Sequence, residues 1–114
     1  MLKIYHNPQC RKSRAGLQYL QDKKVAFEVV EYLKDRLSEP QLERLLMKLN
    51  KKPQEVVRTQ EKYYKTSLKG KNFNHHEWIR IIAEYPKLLC RPIVEREYRA
   101  VIGDPVENID QLLR

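Results

Sequence analysis

Leu2-Lys3-Ile4-Tyr5-His6-Asn7-Pro8-Gln9-Cys10-Arg11-Lys12-Ser13-Arg14 is the stretch from which the architecture can be read. Residues 2–5 open with apolar–polar alternation, the pattern of a short half-buried strand. Asn7-Pro8 breaks it, because proline brings no N–H to a ladder and restricts the residue before it. From Arg11 to about Gln21 the spacing is helical, with Leu17 and Leu20 on one face. A cysteine therefore stands in the turn between a strand and the helix that follows.

Working outward, Phe27–Tyr32 is rich in β-branched and aromatic residues and reads as a second strand. One helix between two adjacent strands implies a parallel βαβ unit. Ser38 with Gln41 forms a capping box, and Pro40 is tolerated in the first turn of the helix it opens. Leu42, Leu45, Leu46 and Leu49 make that helix amphipathic, and Pro53 ends the pattern. Residues 54–73 read as irregular and basic, with a short helix near Gln54–Arg58. Asn74 and Glu77 cap a further helix with Trp78, Ile81, Ile82 and Tyr85 on one face, stopped by Pro86. Arg91–Glu95 and Tyr98–Ile102 read as a third and fourth strand in an antiparallel hairpin. Asp104 at the cap, Pro105 at the first position and Glu107 at the third predict a last helix with Ile109, Leu112 and Leu113 inward. The order predicts a single α/β domain over 1–114. It would be thioredoxin-like, of glutaredoxin type: a four-stranded mixed sheet with an inserted helical segment at about 37–85.

The 114 residues, 41% of them apolar, suffice for one modest core. No apolar run approaches the ~20 residues of a membrane span, and residues 1–20 lack the apolar stretch of a signal peptide. The expectation is a soluble cytoplasmic protein with no membrane partner. Two cysteines in a reducing compartment are not expected to form a structural disulfide. No Cys/His spacing matches a zinc site, and His75 and His76 are expected to face solvent, so no metal is expected. The formal charge of +8 suits oxyanions, phosphorylated ligands, nucleic acid or an acidic protein surface. Lys51, Lys52, Arg58, Lys62, Lys65, Lys69 and Lys71, with Tyr63, Tyr64 and Phe73 to stack on bases, are the residues a nucleic-acid reading would use. It ranks lowest, because no recognition motif accompanies them.

Cys10 is the candidate nucleophile. At a helix N-terminus, unpaired N–H groups and the helix dipole favour an anion, and Arg11, Lys12 and Arg14 add positive charge. Both effects lower a thiol pKa. The same N-terminus can cradle an oxyanion, with Ser13 offering a hydroxyl and Arg14 a guanidinium. His6 is either a group that orients the loop or acts as base toward Cys10, or a satisfied polar residue at a strand end. Asn7 supports the turn. In a thioredoxin-like fold the proline before the third strand is expected to be cis and to lie against the cysteine. That proline is Pro92, and it directs Arg91, whose planar fork suits a tetrahedral oxyanion, toward the substrate. The plain alternative for Arg91 is a surface residue before a strand.

His6-Asn7-Pro8-Gln9-Cys10-Arg11-Lys12-Ser13-Arg14 resembles the active-site loop of the glutaredoxin-coupled arsenate reductases, the ArsC family, whose superfamily also holds the redox-sensing transcription regulator Spx. Arg91-Pro92-Ile93-Val94 resembles that family's Arg-Pro-Ile-Val segment. Val57-Arg58 followed by Tyr63-Tyr64 resembles its Arg-bearing segment, and Gly103-x-Pro105 also fits. The resemblance implies that Cys10 attacks arsenic(V) to give a thiol–arsenate adduct, which glutathione and glutaredoxin reduce to arsenite. It implies no bound cofactor. Of three oxyanion-holding arginines it places two, at Arg58 and Arg91. At the third position the chain has Asp104, whose carboxylate opposes a bound oxyanion, so weak arsenate binding is expected; Arg96 and Arg99 are the candidate substitutes. The alternative is a non-enzymatic Spx-like regulator that binds an acidic partner such as RNA polymerase. The Cys-x-x-Cys switch common in such regulators is here Cys10-x-x-Ser13, a monothiol site. A broader enzymatic form is a monothiol oxidoreductase acting on glutathione mixed disulfides.

Overall fold

The computed structural model describes residues 1–114. In chain order its elements are β1 (Leu2–Tyr5), α1 (Arg11–Asp22), β2 (Phe27–Val30), α2 (Glu39–Leu49), α3 (His75–Glu84), β3 (Ile93–Glu95), β4 (Ala100–Ile102) and α4 (Asp110–Leu113). The strands form one mixed sheet in the order β2-β1-β3-β4. β1 runs parallel to β2 and antiparallel to β3, and β3 and β4 are an antiparallel hairpin. This is the thioredoxin-like arrangement. No helix is long and apolar enough to cross a membrane.

The chain divides into two compact units, Met1–Asp35 with Arg91–Arg114, and Arg36–Cys90. The first holds the sheet. Alternation along β1 puts Leu2 and Ile4 on one face, where they pack with Val94 of β3, Leu20 of α1, Ile109 and Leu112. Ile4 pairs directly with both Val29 and Val94, so this register decides which side chains enter the core. In the second unit, α2 begins with the expected capping box, Ser38 accepting from the Gln41 N–H and Gln41 returning to the Ser38 N–H. α3 begins with the equivalent box of Asn74 and Glu77. Leu68, Trp78 and Leu88 centre a satellite core there.

Several boundaries differ from expectation. β2 stops at Val30 instead of Tyr32: His6 still donates to the Val30 carbonyl at 2.9 Å, but the chain then turns at Asn7-Pro8 and offers Glu31 no ladder partner. β4 starts at Ala100 instead of Tyr98, because the Arg96 N–H closes onto the Arg99 carbonyl and leaves Tyr98 in the turn, 90% exposed. α2 ends at Leu49, capped by Asn50 in the left-handed conformation (φ 56°) before Pro53 is reached. The short helix expected near Gln54–Arg58 is a 3-10 turn over Pro53–Val56, and residues 54–73 also contain a π-helical turn at Tyr64–Leu68. α3 buries Ile79 with Trp78 and Ile82; Tyr85 lies past the helix end, half-exposed and stacked on Tyr63 at 3.8 Å.

The last helix corrects the expectation for Asp104. A 3-10 turn, Val106–Ile109, precedes α4, and Pro105, in extended conformation, occupies the position before it with no side-chain cap. Asp104 stands one residue too early to cap and pairs instead with Lys12, Oδ2 to Nζ 3.1 Å.

Gly16 on α1 is where the helix meets Pro92. A Cβ built there would lie 2.7 Å from the Pro92 Cγ, closer than packed carbons tolerate, and the ring has little freedom to yield. Gly16→Ala is expected to destabilise the protein by about 1–3 kcal/mol through overpacking, read as a lower urea midpoint with an unchanged slope. An unaltered midpoint would show that α1 can shift away from Pro92 at no cost.

Candidate active site

The turn before α1 is built from short local bonds. Asn7 Oδ1 accepts the Gln9 N–H at 3.0 Å, and the Asn7 carbonyl accepts the Cys10 N–H at 3.0 Å. An Asn side chain bonded to the backbone two residues on is the local turn that Asn-Pro favours. The Cys10 carbonyl accepts from the Arg14 N–H at 2.9 Å and starts the helix, which makes Cys10 its N-cap. Arg14 also donates from Nη1 to the Pro8 carbonyl at 3.0 Å, so its guanidinium clasps the outside of the turn.

Ser13 ties the turn together. It is fully buried, and its Oγ lies 2.9 Å from the Asn7 N–H, which it accepts, and 2.7 Å from His6 Nδ1. The hydroxyl is thus engaged inside the loop, and it is the Ser13 backbone N–H that faces the Cys10 sulfur. His6 is itself buried. Burial pushes its pKa down; the Glu31 charge and the Ser13 backbone pull upward, Arg14 adds to the lowering, and the net direction is down. A neutral imidazole can accept the Ser13 O–H while Ser13 Oγ accepts from Asn7, which satisfies all three groups. Through Nδ1, His6 acts on the loop.

Cys10 is half-buried. Partial burial pushes its pKa up. The Ser13 N–H, a hydrogen bond from the Arg91 side chain, the Lys12 N–H and the Arg91 charge together outweigh that, and the thiol titrates below its ordinary value. No side-chain cap hydrogen bond from the sulfur closes the first turn; the Ser13 and Lys12 N–H groups favour the charged form as donors at a helix N-terminus. Arg91, distant in sequence, contributes charge that lowers the thiol's pKa, beside the Arg11, Lys12 and Arg14 expected from the sequence. The Lys12 ammonium is taken by Asp104, and Arg14 by Pro8.

Arg91-Pro92 is a cis peptide bond, as expected from the sequence. The Pro92 carbonyl accepts from the Gly103 N–H at 2.8 Å. Arg96 and Arg99 lie in the hairpin turn at the far end of β3 from Arg91, and Arg99 reaches the Gln111 carbonyl and Oε1 at 3.4 Å. In the second unit, Arg58 donates from its backbone to Leu88 at 2.7 Å and its guanidinium pairs with Glu61. His75 pairs with Glu43, and both histidines of the His75-His76 pair are exposed. No disulfide links Cys10 and Cys90. The sequence reading missed the Ser13–His6–Asn7 bonds and the Lys12–Asp104 pair. The first had a signal, since three polar residues around a proline turn need partners once buried; the second had none.

The sheet presents Cys10, with a lowered pKa, at the N-terminus of α1, an arrangement that suits thiol chemistry. The chain belongs to the ArsC family, whose model matches residues 5–112. It is 38% identical to the arsenate reductase of Neisseria meningitidis serogroup A over 114 residues, covering 98% of this chain and 97% of that one. It is 36% identical to the Escherichia coli K12 protein YfgD over 114 residues, with 98% and 96% covered. Among solved structures, the arsenate reductase from Vibrio cholerae superposes with a TM-score of 0.90 at 34% identity, covering 96% of this chain and 95% of that one.

Two measurements test the site. The midpoint of Cys10 alkylation against pH should lie below that of a free cysteine, about 8.5, and should rise in Arg91→Ala; a midpoint indifferent to Arg91 would remove it from the thiolate's environment. The second concerns His6, whose folded pKa lies below its unfolded value of about 6.5. As pH falls the unfolded state takes the proton first, so stability should drop below about pH 6.5 and level off beneath the folded pKa. Urea midpoints at about pH 7.5 and about pH 5.5 should separate in the native protein and converge in His6→Gln. An undiminished acid loss in that variant would assign it to other groups.

Proposed function

We propose that the protein is a thiol-dependent reductase of the arsenate reductase type, with Cys10 as nucleophile. The observation that carries this reading is Cys10 at the N-cap of α1, its pKa lowered by the N–H groups of the first turn and by Arg91. The arrangement offers an attacking thiolate and a fork donor for an oxyanion in one place. Two relatives named above are arsenate reductases, which supports arsenate as substrate. In the reaction, Cys10 Sγ bonds to arsenic(V) and an oxygen leaves as water. An external thiol then forms a mixed disulfide with Cys10, the electron pair passes to arsenic, and arsenite departs. A second thiol resolves the mixed disulfide, so two thiols supply the two electrons. Glutathione with glutaredoxin is the proposed reductant. Arg58 is the proposed second clamp, by its place in the Val57-Arg58 segment; engaging an anion would require it to share or leave Glu61.

A second reading, monothiol exchange on glutathione mixed disulfides, is favoured by the Asp104 carboxylate held beside the first turn of α1. It uses the same nucleophile without requiring a multiply charged anion. The regulator reading, with an acidic partner such as RNA polymerase, draws only on the charge of +8.

The deciding assay is arsenite formation from arsenate with glutathione and glutaredoxin. Turnover is expected with the native chain, none with Cys10→Ser, and a loss of about 10- to 100-fold in kcat/KM with Arg58→Ala or Arg91→Ala, as for a lost charge-assisted hydrogen bond. Reduction of a glutathione mixed disulfide without arsenite formation would move the assignment to the second reading. Absence of both would leave the enzyme assignment without support.

A further inference from the structure

Lys12 is the second residue of α1, and its backbone N–H is one of the groups that favour the Cys10 thiolate. Its side chain does not serve the same end. The ammonium lies 3.1 Å from Asp104 Oδ2, the carboxylate contributed by the segment after β4. Both groups keep substantial exposure, 64% and 42%, so the pair is wet and can open without unfolding anything. Asp104 does not cap the helix that follows it, and the pair with Lys12 is its ion pair in the structure. A cation on a flexible four-carbon stem, two residues from the nucleophile, is thus held by an anion from another segment.

We infer that Asp104 is a specificity-determining residue of the Cys10 site: by holding the Lys12 ammonium it withholds a cation from anions arriving at the α1 N-terminus, and so biases the site against multiply charged substrates and toward neutral or singly charged ones. Two effects act in the same direction. The carboxylate repels an incoming anion directly, and it occupies the ammonium that would attract one. Across exposed groups each effect is modest and falls with salt. The discrimination is therefore graded, and strongest for dianions. This rests on Cys10 being the reacting group, as proposed above, but not on arsenate being the substrate.

The test needs no turnover. Cys10 is alkylated with iodoacetate, an anion, and with iodoacetamide, its neutral counterpart, and the reaction is followed by the mass of the Cys10 peptide. The ratio of the two rates reports the potential at the sulfur independently of thiolate fraction, since both reagents need the same thiolate. In Asp104→Asn the ratio should rise about two- to fivefold at low ionic strength, the range for an exposed charge pair, and the rise should shrink in about 1 M salt. In a Lys12→Met background the same substitution should raise the ratio less, because only the direct repulsion remains. Protection of Cys10 by inorganic phosphate should strengthen in parallel, and by more than protection by a monoanion. An unchanged ratio in Asp104→Asn would overturn the inference. An equal rise with and without Lys12 would overturn the role given to the pair. Failure of the reductase reading has a different signature: no arsenite is formed, while the alkylation ratios still respond to Asp104.

Discussion

The buried hydroxyl of Ser13 is the constraint on which the site depends. It accepts the Asn7 N–H, meets His6 Nδ1, and by holding both fixes the turn that places Cys10 at the cap of α1. A hydroxyl with no exposure must be satisfied, and an unpaired one costs roughly 1–3 kcal/mol. The loop therefore cannot open at one of these bonds without stranding the others. Ser13 is also in α1, and the N–H of the same residue that locks the turn favours the Cys10 thiolate. The chemistry of Cys10 is the outward side of an internal hydrogen-bond requirement.

From that turn the architecture follows in both directions. β1 enters it with Leu2 and Ile4 committed to the core, and α1 leaves it with Leu20 on the same side. Gly16 lets the helix approach Pro92, and Arg91, the residue before that proline, adds to the lowering of the thiol's pKa. The thiol's lowered pKa is a balance: burial works against the charged form, and dipoles and one cation work for it.

The parallel β1–β2 pair, the hairpin and both capping boxes were legible in the sequence because each has a local signature: a helix between strands, two strand-like runs joined by a tight link, Ser38 with Gln41, Asn74 with Glu77. Strand ends were not, because a strand ends where its partner does. Tyr32 has the residue type for a strand but no ladder to join once β1 has turned away. The cis bond before Pro92 was anticipated through fold and motif. Where the neighbouring cations spend their side chains was not legible: side-chain length lets Lys12 reach Asp104 and Arg14 reach Pro8, while Arg91 adds its effect on Cys10 from a distant part of the sequence. Asp104 read as a helix cap because Asp-Pro so often is one, and the helix began later than that pattern assumes.

The sheet unit is interrupted in sequence by Arg36–Cys90, and β1 pairs with β3 only across that span, Ile4 with Val94. Contacts of such separation incur a loop-closure entropy that local contacts do not, and they form late for that reason. Arg36–Cys90, whose contacts lie nearer in sequence, can gather first and shorten the effective loop. Arg91 therefore comes to stand beside Cys10 only once the central strands have joined. A chain whose central strands have not joined lacks the Arg91 contribution to the Cys10 thiolate and can keep only that of the α1 turn.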